Sequence, residues 1–424
     1  MNRRQDTELL KMLWTHNGAR RYVAADGREV EVRRTGEYDP ATGRFLGAEI
    51  AEMTSGGPAA AHGNVIAGNP ATLSPADLEN SILHITAAQA PVVLKLDGSP
   101  LPQIVVPIDP AAKVAYDILL EGAPGYGCAP HVARMDDFGR VALFTRLGID
   151  RVNRKYNEIE RIYSESGQNL NETMYAMLMR TMGGTTNKEA FMELAAKVRY
   201  AAISRERNNI QYVEAMLLGT SGLLEMYDDD LYVRDLRRDF NYLKAKYSIE
   251  PMAPRRWTIS RHNPYNHPVL RIAQLAAFLS TKEFLFENII RCRSVDDLRS
   301  LFRAEASHYW STHFIPGKRS FEAPKRIGSL KADLLGINLV APMMFFYGTH
   351  TGSQELKEGA VELLENIGCE RNRIVDEWRN RGVRADNAFD SQAILQLHNE
   401  HCLKDLCWQC AVGKRVVGKA LGGR

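Results

Sequence analysis

Pro124-Gly-Tyr-Gly-Cys-Ala-Pro130 is the stretch on which the reading of the fold turns. Two prolines and two glycines among these residues oppose a continuous helix or strand, because proline fixes φ and lacks an N–H while glycine loses the most entropy on ordering. The hydrophobic period changes across this linker. Before it, β-branched and apolar residues alternate or run together in Glu29-Val-Glu-Val32, Ser81-Ile-Leu-His-Ile-Thr86, Val92-Val-Leu-Lys-Leu96 and Gln103-Ile-Val-Val-Pro107. Asp26-Gly27, Asp97-Gly98 and proline-rich turns separate these runs, a pattern that predicts strands. Leu9 to Trp14 reads as a short leading helix.

After the linker, apolar residues recur at helical spacing among good helix formers. The clearest segments are Leu170 to Met182, Lys188 to Arg199, Gln211 to Leu218, Arg234 to Lys246, Leu270 to Leu279 and Leu356 to Asn366. Ser294-Val-Asp-Asp297 has the form of a capping box, and Gly368 stands where a helix C-cap would. The expectation is an α+β chain, with an N-terminal α/β domain over residues 1–125 followed by a large all-α domain over residues 126–424. No internal repeat or low-complexity tract interrupts it.

The 424 residues are 45% hydrophobic and 25% charged, enough for two or three domains with cores of their own. Lys and Arg number 54 against 51 Asp and Glu, a net charge of +3, so no global field drives the chain onto nucleic acid or membrane. Any such binding must use a local patch. Met1 to Thr15 has no apolar core of signal-peptide type. The longest apolar run, Leu334 to Tyr347, is broken by Asn338 and Pro342 and falls short of the roughly 20 residues a bilayer requires. These features predict a cytoplasmic protein without a membrane partner, whose cysteines stay reduced and serve as metal ligands or free thiols.

Three of the six cysteines stand in Cys402-Leu-Lys-Asp-Leu-Cys407-Trp-Gln-Cys410. This C-x4-C-x2-C spacing lets thiolates converge on a soft cation, either zinc or an iron-sulfur cluster, in a structural role. A fourth ligand could come from Cys128, Cys369 or His401. The bland reading is a set of reduced thiols. Other features are weighed toward structure: Met174, Met177, Met179, Met182, Met216, Met343 and Met344 read as core filler. Asp228-Asp-Asp230 reads as a solvated loop, Gly183-Gly184, Gly219 and Gly222 as helix-end glycines, and His84 as a hydrogen-bonded core residue.

Two stretches interleave positive charge with aromatics and prolines. Arg255 to Arg271 contains Arg255, Arg256, Trp257, Arg261, Tyr265 and Arg271; the second, His313 to Arg326, contains Lys318, Arg319, Phe321, Lys325 and Arg326. The tail residues Lys414, Arg415, Lys419 and Arg424 add cations. Cations neutralise phosphates while Trp257, Tyr265 and Phe321 offer faces to unpaired bases, the way single-stranded nucleic acid is held without sequence readout. The bland reading is solvated inter-helix loops.

Over nearly its whole length the chain resembles a bacterial family described only as a domain of unknown function. The resemblance is carried by Gly36-Glu-Tyr-Asp-Pro-Ala-Thr-Gly-Arg-Phe-Leu-Gly-Ala-Glu-Ile50, His62-Gly-Asn-Val65, Ile82-Leu-His-Ile85 and Glu214-Ala-Met-Leu-Leu-Gly-Thr-Ser-Gly-Leu-Leu-Glu225. Leu270-Arg-Ile-Ala-Gln-Leu275, Asn387-Ala-Phe-Asp-Ser-Gln392 and the terminal cysteine run complete it. The family's N-terminal part is similar in pattern to the PD-(D/E)xK, restriction-endonuclease-like fold. That similarity implies an aspartate and a Glu-x-His pair that cage magnesium for phosphodiester hydrolysis. Arg44 occupies the aspartate's position and Ile66 and Gly68 the Glu-x-His positions, so the implied cage is lost and no catalytic residue is assigned. Glu37, Asp39, Glu49 and Glu52 could replace it, or simply face solvent. Some nucleases of that superfamily close the domain with an iron-sulfur staple of one distant and three terminal cysteines. Cys128 with Cys402, Cys407 and Cys410 has that form, leaving Cys292 and Cys369 unligated. The function expected is a non-catalytic nucleic-acid-binding or scaffold protein on a degenerate nuclease-like fold. A divalent-metal-dependent nuclease with relocated carboxylates, or a protein-interaction scaffold without nucleic acid, is the alternative.

Overall fold

The computed structural model describes residues 3–17, 20–54, 57–68, 78–121, 125–227, 230–259 and 263–422, excepting the side chains of residues 3–5, 17, 53 and 54. It is a mixed α+β protein, with an N-terminal curled sheet followed by a helical region. Two compact units share it. The first comprises Met1–Leu143, Asp376–Arg384 and Leu395–Arg424, the second Phe144–Val375 and Ala385–Ile394. The sequence period changes near residue 125, yet the first unit runs on to Leu143 and takes in two later segments.

The sheet of the first unit is built from β1 (Arg21–Val23), β2 (Glu29–Arg34), β3 (Glu37–Asp39), β4 (Arg44–Thr54), β5 (Gly57–Ala67), β6 (Ser81–Thr86) and β7 (Gln103–Val105). Its order is β1-β2-β4-β5-β6-β7, with β3 paired to β4. Pairing is antiparallel through β5 and parallel from β5 to β7. An isolated bridge from Ala24 to Ile104 joins the two ends of this order and curls the sheet on itself. Alternation sends Val30 and Val32 inward between exposed or half-buried glutamates, as period two requires. In β4 the register slips between Phe45 and Ala48, where Gly47 at φ 67° forms the bulge; both flanking side chains then reach the core. The leading helix Arg3–Asn17 buries Leu9, Leu10, Leu13 and Trp14, a stripe at i, i+1, i+4 and i+5.

Val92 to Leu96 is not a strand. Asp97-Gly98 closes a tight loop, with Leu94 bridged only to Pro100, and Val92, Leu94 and Leu96 remain exposed because no sheet neighbour covers them. His84, as expected, is a buried core residue, its ring within hydrogen-bond distance of the Gly68 carbonyl (2.6 Å) and the Gln103 amide (3.0 Å).

The second unit is helical around Pro268–Thr281, which buries every residue from Pro268 to Leu279 except the half-buried Arg271. Asn169, Asn209 and Asp230 cap their helices by accepting backbone N–H bonds, and Ser294 with Asp297 forms the expected capping box. The methionines singled out above are all buried. Leu170–Lys197 is one helix bent at Gly184, whose φ of 60° and ψ of −148° suit glycine alone. Gly368 is not a left-handed cap: the helix Gln354–Asn366 ends through Ile367 in an extended conformation, and Gly368 bridges Asn387.

The apolar run around Leu334 is longer than its sequence suggests. Ser329–Thr351 is continuous over 23 residues, long and apolar enough to cross a membrane, but 61% of its apolar window is buried within the protein. A π-helical stretch, Gly336–Val340, lets the helix continue past Pro342, whose missing N–H would break an ordinary turn.

Gly219, in the helix Ile210–Thr220, faces Phe240 of the helix Leu231–Tyr247, and a Cβ there would lie 2.2 Å from the ring. Gly219→Ala is therefore expected to destabilise by about 1–3 kcal/mol through overpacking, lowering the urea midpoint at unchanged slope. A wild-type midpoint would refute this close packing.

Candidate functional site

The two basic stretches meet in the second unit. The turn Pro264–Asn266 packs beside a short hairpin of β8 (His313–Ile315) and β9 (Lys318–Arg319). Tyr265 stands edge-on to Phe314 with centroids 4.7 Å apart, and Phe314 edge-on to Phe321 at 5.9 Å. Phe314 is buried, but Tyr265 is 47% and Phe321 66% exposed. Lys318 and Arg319 are exposed on the hairpin. Its turn is pinned at Gly317, whose N–H donates to Asp230 Oδ2 and to the Tyr309 hydroxyl, each at 3.0 Å.

Other residues of the two stretches have different work. Trp257 is buried, stands edge-on to Phe191 at 5.1 Å, and donates its indole N–H to the Ser221 carbonyl at 2.8 Å; it offers no face to a base. Lys325 is only 1% exposed. Its ammonium donates to the Ser311 and Ala323 carbonyls and lies 4.2 Å from the Phe314 centroid and 5.1 Å from that of Phe321. It therefore braces the aromatic platform from beneath. Arg271 donates to Gln274 Oε1 and Asn266 Oδ1, Arg256 pairs with Glu193 at 2.6 Å, and Arg326 pairs with Glu305 at 2.7 Å. Arg255 is exposed. Arg261, Asp228, Asp229 and Arg424 lie outside the described residues.

Behind the hairpin stands a polar core with no signal in any one stretch of sequence. Tyr309 stacks between Tyr232 (3.9 Å) and His313 (4.1 Å) and donates its hydroxyl to Asp230 at 2.7 Å. Tyr232 and Ser307 both donate to Glu214 Oε2, at 2.5 and 3.1 Å. Glu214 is 1% exposed with Oε1 unpartnered, and burial raises its pKa above the usual carboxylate value.

In the first unit the four cysteines of the expected ligand set come to one region. Cys128 Sγ and Cys402 Sγ are 3.9 Å apart. Cys128 and Cys410 are buried, Cys402 and Cys407 partly so. Burial pushes the Cys407 thiol up to about 12, with Cys128 and Cys410 as the next contributors. The hydrogen bond with the Cys128 thiol, followed by burial, shifts Cys402 upward as well. Among the described residues no three His, Cys, Asp or Glu side chains surround one point. Cys292 and Cys369 belong to the second unit, where their thiols face the Asn288 and Glu370 carbonyls.

The carboxylates considered as a replacement magnesium cage are engaged separately. Glu52 pairs with Arg28 at 2.6 Å, Glu37 with Arg34 at 3.8 Å and Glu49 with His62 at 3.9 Å, while Asp39 caps the turn at Ala41 and Thr42. Arg44 and Ile66, at the implied cage positions, are buried, and Gly68 adopts φ 87°.

Fold and site thus define a mixed α+β protein whose curled sheet belongs to a unit holding four clustered thiols and whose helical unit carries an exposed aromatic and basic platform. Residues 74–373 match the family described as "Protein of unknown function (DUF2851)", and the chain belongs to that family. The matched span includes the platform and Cys128 but ends before Cys402, Cys407 and Cys410. No curated protein and no solved structure matches the chain.

Trp257→Ala is expected to lower stability by about 3–5 kcal/mol, as loss of a buried aromatic does, with a fall in the thermal midpoint. A midpoint unchanged from wild type would show that this ring is dispensable to the core. A second outcome concerns His267, which is buried, accepts the Val269 N–H, and is pushed down to about 4 by desolvation. The unfolded chain accepts this proton near pH 6.5 and the folded chain does not, so the associated stability is intact above 6.5 and is lost as pH falls toward about 4. His267→Asn, which keeps a helix-capping side chain, should flatten that acid limb in urea titrations; parallel curves for the two proteins would refute it.

Proposed function

We propose that the protein binds single-stranded nucleic acid without reading its sequence, by stacking bases on Tyr265 and Phe321 while Lys318 and Arg319 neutralise the phosphates. The observation that carries the reading is the convergence of two sequence-distant basic stretches on one exposed aromatic platform, Tyr265 to Phe314 to Phe321, beside an exposed basic hairpin. Stacking tolerates any base because every base has a π face, and backbone neutralisation carries no sequence information. The role is non-catalytic: the positions that the nuclease resemblance assigns to a metal cage hold Arg44, Ile66 and Gly68, and the neighbouring carboxylates are tied to separate partners. The parallel β5-β6-β7 portion of the sheet is compatible with a degenerate nuclease-like ancestry.

The test is fluorescence anisotropy of labelled homopolymeric DNA and RNA across a salt series. The logarithm of the affinity should fall linearly with the logarithm of salt, by about 0.7 per phosphate neutralised. Phe321→Ala should weaken binding by about 5- to 150-fold, the range for loss of one stacked base, and Lys318→Gln with Arg319→Gln should flatten the salt slope. No binding at low salt, or binding indifferent to both changes, would remove the proposal.

A further inference from the structure

The cysteine cluster of the first unit stands independently of the nucleic-acid reading. We infer that Cys128, Cys402, Cys407 and Cys410 bind one zinc ion, a structural staple that fixes the C-terminal segment to the turn before the helix Ala129–Ala133. The Cys128 and Cys402 sulfurs come within 3.9 Å although 274 residues separate them in sequence. Two thiolates on one tetrahedral zinc, each about 2.3 Å from the ion, stand about 3.8 Å apart. The observed pair therefore already spans one edge of such a tetrahedron. A disulfide would need its sulfurs at about 2.05 Å, well short of the observed separation.

The backbone on both sides of that edge is set by contacts that tolerate little else. A Cβ on Gly127 would lie 2.1 Å from the Leu119 carbonyl oxygen, and one on Gly125, at φ 84°, would lie 2.7 Å from His398 Cε1. These two glycines hold the chain in the turn that delivers Cys128. On the other side, Cys410 donates its backbone N–H to the Cys407 carbonyl at 3.2 Å, and Gly413 packs so closely that a Cβ would lie 2.0 Å from that same oxygen. Trp408, between the last two cysteines, is buried edge-on against Tyr38 with centroids 4.5 Å apart, and the Lys11 ammonium lies 5.4 Å from its ring. The Cys407 to Cys410 turn is thus anchored beside the Cys128 and Cys402 edge. Ion binding must draw the Cys407 and Cys410 sulfurs onto that edge, since no three ligands among the described residues yet surround one point. The thiols' protons leave to solvent as the thiolates bind.

Metal analysis of the full-length protein purified without chelator decides this. The expected result is about one zinc per chain, together with the intense thiolate spectrum of a tetrahedral site after cobalt exchange. A chelator should remove the zinc, make the four thiols reactive, and open the Leu395–Arg424 segment to proteolysis. Cys402→Ser should lose the zinc while Cys292→Ser retains it. If Cys402→Ser does not fold, the zinc content, cobalt spectrum and thiol count of the wild-type protein still decide. Iron with acid-labile sulfide, a Cys128 to Cys402 disulfide seen by intact mass, wild-type protein without metal, or zinc retained in a folded Cys402→Ser variant would each overturn the proposal.

Discussion

The buried amide of Gln274 is the interaction on which the exposed platform depends. It lies in the central helix Pro268–Thr281 with no exposure, donates to the carbonyls of Lys325 (3.4 Å) and Arg326 (3.0 Å), and accepts from the Arg271 guanidinium (2.9 Å). An amide left without these partners in the core would cost about 1–3 kcal/mol, so the segment after the hairpin is held against the helix by polar satisfaction as well as by packing. That attachment sets where Lys325 enters the protein. Its stem and ammonium then pass under Phe314 and Phe321, where burial lowers the lysine's pKa and carbonyl oxygens with aromatic faces replace its water.

This arrangement separates two kinds of positive charge that look alike in sequence. Lys325 and Arg271 are committed to internal acceptors, and removing either would leave carbonyl or amide oxygens unmatched. Lys318 and Arg319 are exposed on a turn held by Asp230 and Tyr309. A surface ion pair is worth about 0–1 kcal/mol, so Arg256 and Arg326 can exchange their glutamate partners for another anion at little cost, whereas Lys325 cannot leave its carbonyls so cheaply.

What was legible in the sequence follows from what is local. Helices with a strong 3.6-residue period, the Ser294 capping box, the methionine core and the strands at Glu29, Ser81 and Gln103 are specified by neighbours in sequence. The long strand Gly57–Ala67 was not, because Gly-Pro-Ala-Ala-Ala-His-Gly-Asn has weak strand propensity and is extended through its pairing with β4 and, at its far end, β6. Trp257 and Tyr265 occupy the same basic stretch, yet one is core and the other surface; the distinction rests on Phe191 and Ser221, which are remote in sequence. The stack of Tyr232, Tyr309 and His313 over Glu214 likewise exists only after folding, as does the meeting of Cys128 with Cys402.

The C-terminal segment shows why a local pattern can still need a remote partner. The helix Ala411–Ala420 has 10 residues, including Gly413 and Gly418, and isolated helices shorter than about 12–15 residues are marginal even without glycine. Its glycines are there for approach: Gly413 sits against the Cys407 carbonyl, and a Cβ on Gly418 would lie 3.2 Å from the His16 ring. Close packing of this kind stabilises a helix only if the surface it approaches is itself fixed. Trp408 fixes one side through Tyr38 and Phe45, and the turn at Gly125 and Gly127, which presents Cys128, fixes the other. The thiols therefore lie where this helix, too short and too glycine-rich to hold itself, meets the parts of the fold that hold it.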